Sequence, residues 1–250
     1  SRRKMNQIIA MHGWGGDSQY WRLWAEYFQN NGWHWQSGDR GYGEMPFLEP
    51  SWPKETHHNS FEKRVVIGHS LGPHLLKKRI IAKATHVIFL NSFSRFIPEG
   101  RANRSIKVGL QGMQKTLGTA KEQRMLLTFL EKSTMPHPLN TLPEGPITKG
   151  ISLKGHQKLE SDLKILIKTE KLPDGLPAHA TVLIVDGAED AIVAPSAKEV
   201  LRHDLQKFLH KQPTHWIIPK EGHSLLQPGL KERIHNWLNQ SPWKATGTNL

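Results

Sequence analysis

Short runs of apolar and β-branched residues recur along this chain with helical spacing between them, and nothing else in the sequence narrows the possible folds as far. Residues 7–11, 64–68, 86–90, 181–185 and 214–218 read as short buried strands. Between them, residues 18–30, 71–83, 196–209 and 228–239 place apolar side chains at helical intervals. Asn31-Gly32 closes the first of these helices with residues that a C-terminal cap favours. Strands that alternate with helices pair in parallel, because the helix is the crossover that brings the chain back to the same end of the sheet. The expected architecture is α/β, a mostly parallel sheet flanked by helices.

The rhythm breaks over residues 94–172. Strand signals vanish there, and three helical stretches appear around the Pro- and Gly-rich run 136–150. In the first, Ile106, Leu110, Met113 and Leu117 fall on one face, although Gly109 and Gly112 weaken the helix. The second opens on a capping box, Thr119 with Glu122 three residues later, ahead of Met125, Leu126, Phe129 and Leu130. Leu159, Leu163 and Leu166 repeat the spacing in the third. Each stripe reads as core rather than as a cofactor site. Residues 1–93 and 173–250 are therefore expected to form one core, with 94–172 inserted as a helical lid, and the polar tail 241–250 is expected to fray.

Composition removes several classes of function. No apolar run approaches the roughly 20 residues that a membrane-spanning helix needs, and the basic start Ser1-Arg2-Arg3-Lys4 leads only into Ile8-Ile9-Ala10-Met11, too short for a secretory signal. With 0 cysteines, a disulfide framework and a zinc-thiolate site are both excluded, while the compartment stays open and cytoplasm is the default. No His-Glu-x-x-His pattern marks a helical zinc site, so no metal is expected. A net charge of +12 draws acidic partners by long-range steering.

The chemistry gathers at four places. Gly68-His69-Ser70-Leu71-Gly72 follows a strand and opens a helix, the setting of a G-x-S-x-G nucleophile elbow; the competing reading is a loop with a helix-capping serine. Ser70 needs a base to take its proton, and His223 follows a late strand in Pro219-Lys220-Glu221-Gly222-His223. The chain has 15 histidines, so position rather than identity singles out His223. Between the two, Asp186-Gly187-Ala188-Glu189-Asp190 places acids beyond the penultimate strand, in the order Ser, Asp, His. Asp190 lies after the Gly187 turn, where the chain bends back toward the histidine, and is preferred to Asp186 and Glu189. Early in the chain, His12-Gly13-Trp14-Gly15-Gly16 is a loop suited to presenting a backbone N–H to a developing oxyanion, with Trp14 and Leu71 as donors. Losing one such donor typically costs about 3 kcal/mol of transition-state stabilisation. A phosphate loop is the rival for these glycines, but no Gly-Lys-Ser/Thr follows and the G-x-G-x-x-G spacing is absent.

Together, His12-Gly13-Trp14-Gly15, the pentapeptide at Ser70, the Asp190 loop and Gly222-His223 resemble the α/β-hydrolase superfamily over nearly the whole chain. Gly109-Leu110-Gln111, Gln123-Arg124 and Phe129-Leu130, with the His-Gly-Trp-Gly loop, resemble more narrowly the pimeloyl-acyl-carrier-protein methyl ester esterases of biotin synthesis. That resemblance implies a cofactor-free hydrolase that cleaves the methyl ester of a pimeloyl chain carried by a small acidic protein, with the Trp14 indole lining the acyl pocket. Gly72-Pro73 departs from the pattern, where a small residue is more usual after the elbow, and residues 44–59 do not align.

Charge is consistent with such a partner, since residues 94–172 hold 14 Lys and Arg against 7 Asp and Glu. Arg101, Arg104, Lys107, Lys115, Lys121 and Arg124 lie mostly off the apolar stripes, placed to meet a carrier protein, or else form a merely solvated face. Aromatic residues are not interleaved with them, which speaks against nucleic acid. The expectation is a monomeric serine carboxylesterase; a broad-specificity esterase, lipase or thioesterase shares the triad, and a non-catalytic binding module shares the fold. A dehalogenase would need an acid at position 70.

Overall fold

The computed structural model describes residues 3–240; the basic start at Ser1 and Arg2 and the tail 241–250 lie outside the described residues. Six strands, β1 (Arg3–Met11), β2 (His34–Ser37), β3 (Asn59–His69), β4 (His86–Leu90), β5 (Thr181–Gly187) and β6 (Thr214–Ile218), form one sheet in the order β2-β1-β3-β4-β5-β6. Every neighbouring pair is parallel.

Alternation along the strands sorts side chains to two faces, because successive residues of a strand point to opposite sides. Ile9, Met11, Val66, Val87, Phe89, Val182 and Ile184 enter one buried cluster, with Leu201 and Leu205 of helix α8 (Pro195–Phe208). Ile8, Ala10, Val65, Ile67, Ile88, Leu90, Leu183 and Val185 enter the other. There they meet Trp24 and Phe28 of α1 (Arg22–Asn30), and Ile234 and Trp237 of α9 (Leu230–Leu238). The inner strands are buried on both faces over residues 7–11, 65–69, 87–90 and 182–187, which is why they read as continuous apolar runs.

Four expectations need correcting. Strand β2, too polar to show in the sequence, covers one sheet edge beside β1. The stretch 18–30 starts as a 3-10 turn, Ser18–Trp21, capped by Asp17, whose carboxylate accepts from the Gln19 N–H. The expected helix 71–83 is two short pieces, α2 (Gly72–Leu75) and α3 (Lys78–Ile81), because Leu76 and Lys77 are extended. In the excursion between β4 and β5, Glu122 does not close a capping box on Thr119. Its carboxylate accepts from the Gly118 N–H at 3.0 Å and meets His156 at 2.9 Å, and the cap position is Lys121.

That excursion contains α4 (Asn103–Thr116), α5 (Glu122–Thr134), the short α6 (Pro146–Lys149) and α7 (Leu153–Lys168). An isolated bridge between Arg95 and Glu170 joins its two ends. Asp162 of α7, fully buried, accepts from Arg40 at 2.9 and 2.7 Å and from the Tyr42 hydroxyl at 2.6 Å, tying α7 to the loop after β2.

Candidate active site

Strand order decides where a site can form. From β1 the chain runs outward to β2 and then crosses to β3 on the other side, so the loops after β1 and β3 part company at their carboxyl ends. Such a switch point is where open α/β sheets place their ligands. His12-Gly13-Trp14 leaves β1 there, and Ser70 follows β3.

Ser70 sits at φ 57°, in the left-handed region that a non-glycine residue adopts only when its surroundings enforce it. The enforcement is visible. The Ser70 N–H donates to the Leu90 carbonyl at 2.9 Å, and its carbonyl accepts from the Ser92 hydroxyl at 2.6 Å. A Cβ on Gly68 would overlap the Pro73 ring, and one on Gly72 would overlap the Met11 carbonyl. Pro73 therefore packs into the space Gly68 leaves, at the start of α2 where its missing N–H is harmless.

His223 Nδ1 lies 3.1 Å from each oxygen of Asp190. The Asp190 carboxylate also accepts from the Ile192 and Val193 N–H groups at 2.8 and 3.2 Å and from Lys198 Nζ at 3.0 Å. Burial alone would raise the acid; His223, by charge and hydrogen bond, then Lys198 and the Ile192 N–H outweigh it and hold Asp190 well below the usual carboxylate range. Asp186 is turned elsewhere, with His215 Nε2 at 2.8 Å, and Glu189 is exposed.

The histidine loop is held from beneath. Buried Asn91, at φ 44°, donates to the Gly222 and His223 carbonyls at 2.9 Å each, and its Oδ1 accepts from the Gly187 N–H and from Lys198. His69 Nε2 donates to the His223 carbonyl at 2.8 Å, and its ring is stacked on Tyr20 with centroids 4.8 Å apart. Burial and then the neighbouring His223 push His69 down to about 3, so it is a neutral spacer. Sequence reasoning missed Asn91, His69 and Lys198 as parts of the site, since none carries a motif of its own; the second position of the elbow pentapeptide was the only pointer to His69.

Ser70, His223 and Trp14 line one cavity of about 750 Å³. Neither the Trp14 nor the Leu71 N–H donates to a protein acceptor among the described residues. The Trp14 indole donates to the Leu159 carbonyl at 2.9 Å and meets the Phe129 ring edge-on. Ser70 Oγ and His223 are not hydrogen-bonded to each other; such bonds are often long without substrate. The rest of the wall comes from α4, α5 and α7 through Leu110, Met113, Met125, Phe129, Leu163 and Leu166. The apolar stripes expected to be core alone thus also face this space.

Of the basic residues singled out, Lys121 and Arg124 line the cavity, joined by Lys132, and no acidic side chain lines it. Arg101, Arg104, Lys107 and Lys115 are exposed and do not line it. Among the described residues no group of three or more His, Asp and Glu is placed to hold a metal, and no helix is long and apolar enough to cross a membrane.

No family model and no curated protein matches the sequence. Solved structures do match in shape. An esterase from Exiguobacterium antarcticum is similar at TM-score 0.69 and 15% identity, over 94% of this chain and 92% of that one. For an esterase from Thermogutta terrifontis the values are 0.62, 16%, 95% and 90%. For an enol-lactonase from Burkholderia xenovorans they are 0.62, 13%, 94% and 92%. At these identities the likeness shows the fold, and this chain has the α/β-hydrolase fold.

Proposed function

We propose that this chain is a serine carboxylesterase in which Ser70 is the nucleophile, His223 the general base and Asp190 the acid that orients it. One observation carries the reading: a strained serine, a carboxylate-bound imidazole and the Trp14 loop, whose backbone N–H is uncommitted, line a single, mostly apolar cavity. Fold neighbours that are themselves named esterases support it.

In this reading Ser70 Oγ attacks the acyl carbon while His223 Nε2 takes its proton. The oxyanion accepts hydrogen bonds from the Trp14 and Leu71 N–H groups. Collapse expels the alcohol, which leaves with the proton held by His223. Water then attacks the acyl-enzyme with His223 again as base, releasing the acid and freeing Ser70. Asp190 stays ionised and stabilises the imidazolium at both stages.

Residues 94–172 act as a lid whose helices supply the acyl-binding wall. The substrate we propose is a methyl ester of a pimeloyl chain on an acidic carrier protein. A mostly apolar cavity of about 750 Å³ suits the chain, Lys121, Arg124 and Lys132 suit an anionic group entering with it, and Arg101, Arg104 and Lys107 offer an outer basic face to the carrier.

Hydrolysis of p-nitrophenyl esters of increasing acyl length by wild type and Ser70→Ala, followed by the carrier-linked methyl ester, tests both levels. Ser70-dependent turnover with strong preference for the carrier-linked ester is expected. Ser70-dependent turnover confined to simple esters removes the carrier reading, and none on any ester leaves a ligand-binding module.

A further inference from the structure

A triad acid needs one side-chain partner, the histidine, yet Asp190 here has two. Lys198, from the first turn of α8, places its ammonium 3.0 Å from Asp190 Oδ2, with the two side chains only 13% and 1% exposed. The same ammonium donates to Asn91 Oδ1 at 2.7 Å and approaches the Gly187 carbonyl at 3.4 Å. Asn91 in turn holds the carbonyls of Gly222 and His223. Lys198 is therefore tied at once to the acid and, through one amide, to the loop that carries the base.

We propose that Lys198 is a positioning residue of this site: it fixes Asp190 and Asn91 relative to His223, and its charge sets the pH at which His223 becomes free to act as base. The kinetic part of this rests on the esterase reading above; the electrostatic part does not.

The direction follows from charge. The negative Asp190 attracts positive charge on the imidazole. A cation on the far side of the same carboxylate opposes that attraction, and low exposure of both groups weakens solvent screening. Other charged or titratable groups around the pair are few. Asp186 of β5 lies 3.8 Å from Lys198 and is engaged by His215 of β6. His69 packs against His223 and is neutral. Glu221 is paired with His137 at 2.9 Å, and Tyr20 lies beyond His69. Among these, Lys198 is the cation bonded to Asp190.

Removing the charge while keeping a donor tests the proposal. Lys198→Gln should move the acidic limb of the kcat/KM profile upward by about half a pH unit or more. Lys198→Arg should restore it to near the wild-type position. A role in packing alone would lower activity at every pH and leave the limb in place, and that result, or a downward move, overturns the proposal. NMR titration of the His223 ring in wild type and Lys198→Gln gives the same answer without turnover. Absence of Ser70-dependent hydrolysis would thus sink the esterase reading and still leave Lys198 tested. Should Lys198→Gln not fold, Lys198→Met serves as the second uncharged variant, with the same upward shift expected in both readouts.

Discussion

At the scale of single residues, the two aspartates of the β5 loop separate by what they face. Asp190 meets His223, whereas Asp186 meets His215. Asp190→Asn should therefore lower kcat by roughly 10⁴-fold, because an amide in that place favours the wrong imidazole tautomer. Asp186→Asn should leave kcat within a few-fold of wild type. Steady-state kinetics on one small ester decides between them, and the opposite ranking would move the acid to Asp186. The sequence favoured Asp190 because a turn at Gly187 was expected between it and the strand; in the fold Gly187 is the last residue of β5 and the turn is Ala188-Glu189. What the sequence did not contain is the reason the side chain stays put: the Ile192 and Val193 N–H groups, Lys198 and Asn91 come from three separate stretches. Ser70 was legible for the converse reason. The glycines and proline that let the turn close, Gly68, Gly72 and Pro73, lie within the same six residues, although the hydrogen bonds that hold it come from Leu90 and Ser92.

At the scale of elements, the inner strands were readable because burial on both faces leaves a continuous apolar run, and the edge strand β6 because it ends in Trp216-Ile217-Ile218; β2, the other edge, was not, because His34-Trp35-Gln36-Ser37 contains no apolar run. The break in the helix after the elbow escaped notice, since the apolar spacing continues through Leu76 and Lys77 while the backbone does not. Hardest to foresee was the attachment of the lid, for Asp162 is one acid in an otherwise ordinary helical stripe. In the fold it accepts from both Arg40 and Tyr42, and breaking a buried pair leaves an uncompensated charge behind. Asp162→Asn should cost about 3 kcal/mol of unfolding free energy in urea titrations. It should also raise KM for long-chain esters, because α7 contributes Leu163 and Leu166 to the cavity wall. Unchanged stability would mean that the lid is held by its apolar contacts alone.

At the scale of the whole molecule, charge and burial make separate predictions. If the outer face of α4 docks an acidic carrier, Arg104→Glu with Lys107→Glu should raise KM for the carrier-linked ester several-fold and steepen no other parameter, since neither residue lines the cavity. Equal losses on a small soluble ester would remove the docking face. Burial speaks through the histidines. His12, His69, His74 and His86 are all pushed below their ordinary value by burial, His86 to about 4 and His69 to about 3. A histidine held neutral in the fold contributes stability that is complete above pH 6.5, its unfolded value, and lost as pH falls from there toward the folded value. Asp17 works in the other direction, because burial raises it to about 6 and the folded chain takes up its proton first. His69 and His86 against Asp17 leave the unfolded chain binding about one more proton near pH 5, a slope of about 1.4 kcal/mol per pH unit to which the other lowered histidines add in the same direction. A typical domain has about 5–15 kcal/mol in total. Asp190, held low, adds its own loss only below about pH 4, after the histidines have acted. Tm measured from pH 7.5 to 5.0 should therefore fall below 6.5, in a range where carboxylates alone would leave it level. His69→Gln should flatten that fall by about one proton, and a Tm that holds steady down to pH 5.5 would mean that the buried rings accept protons within the fold.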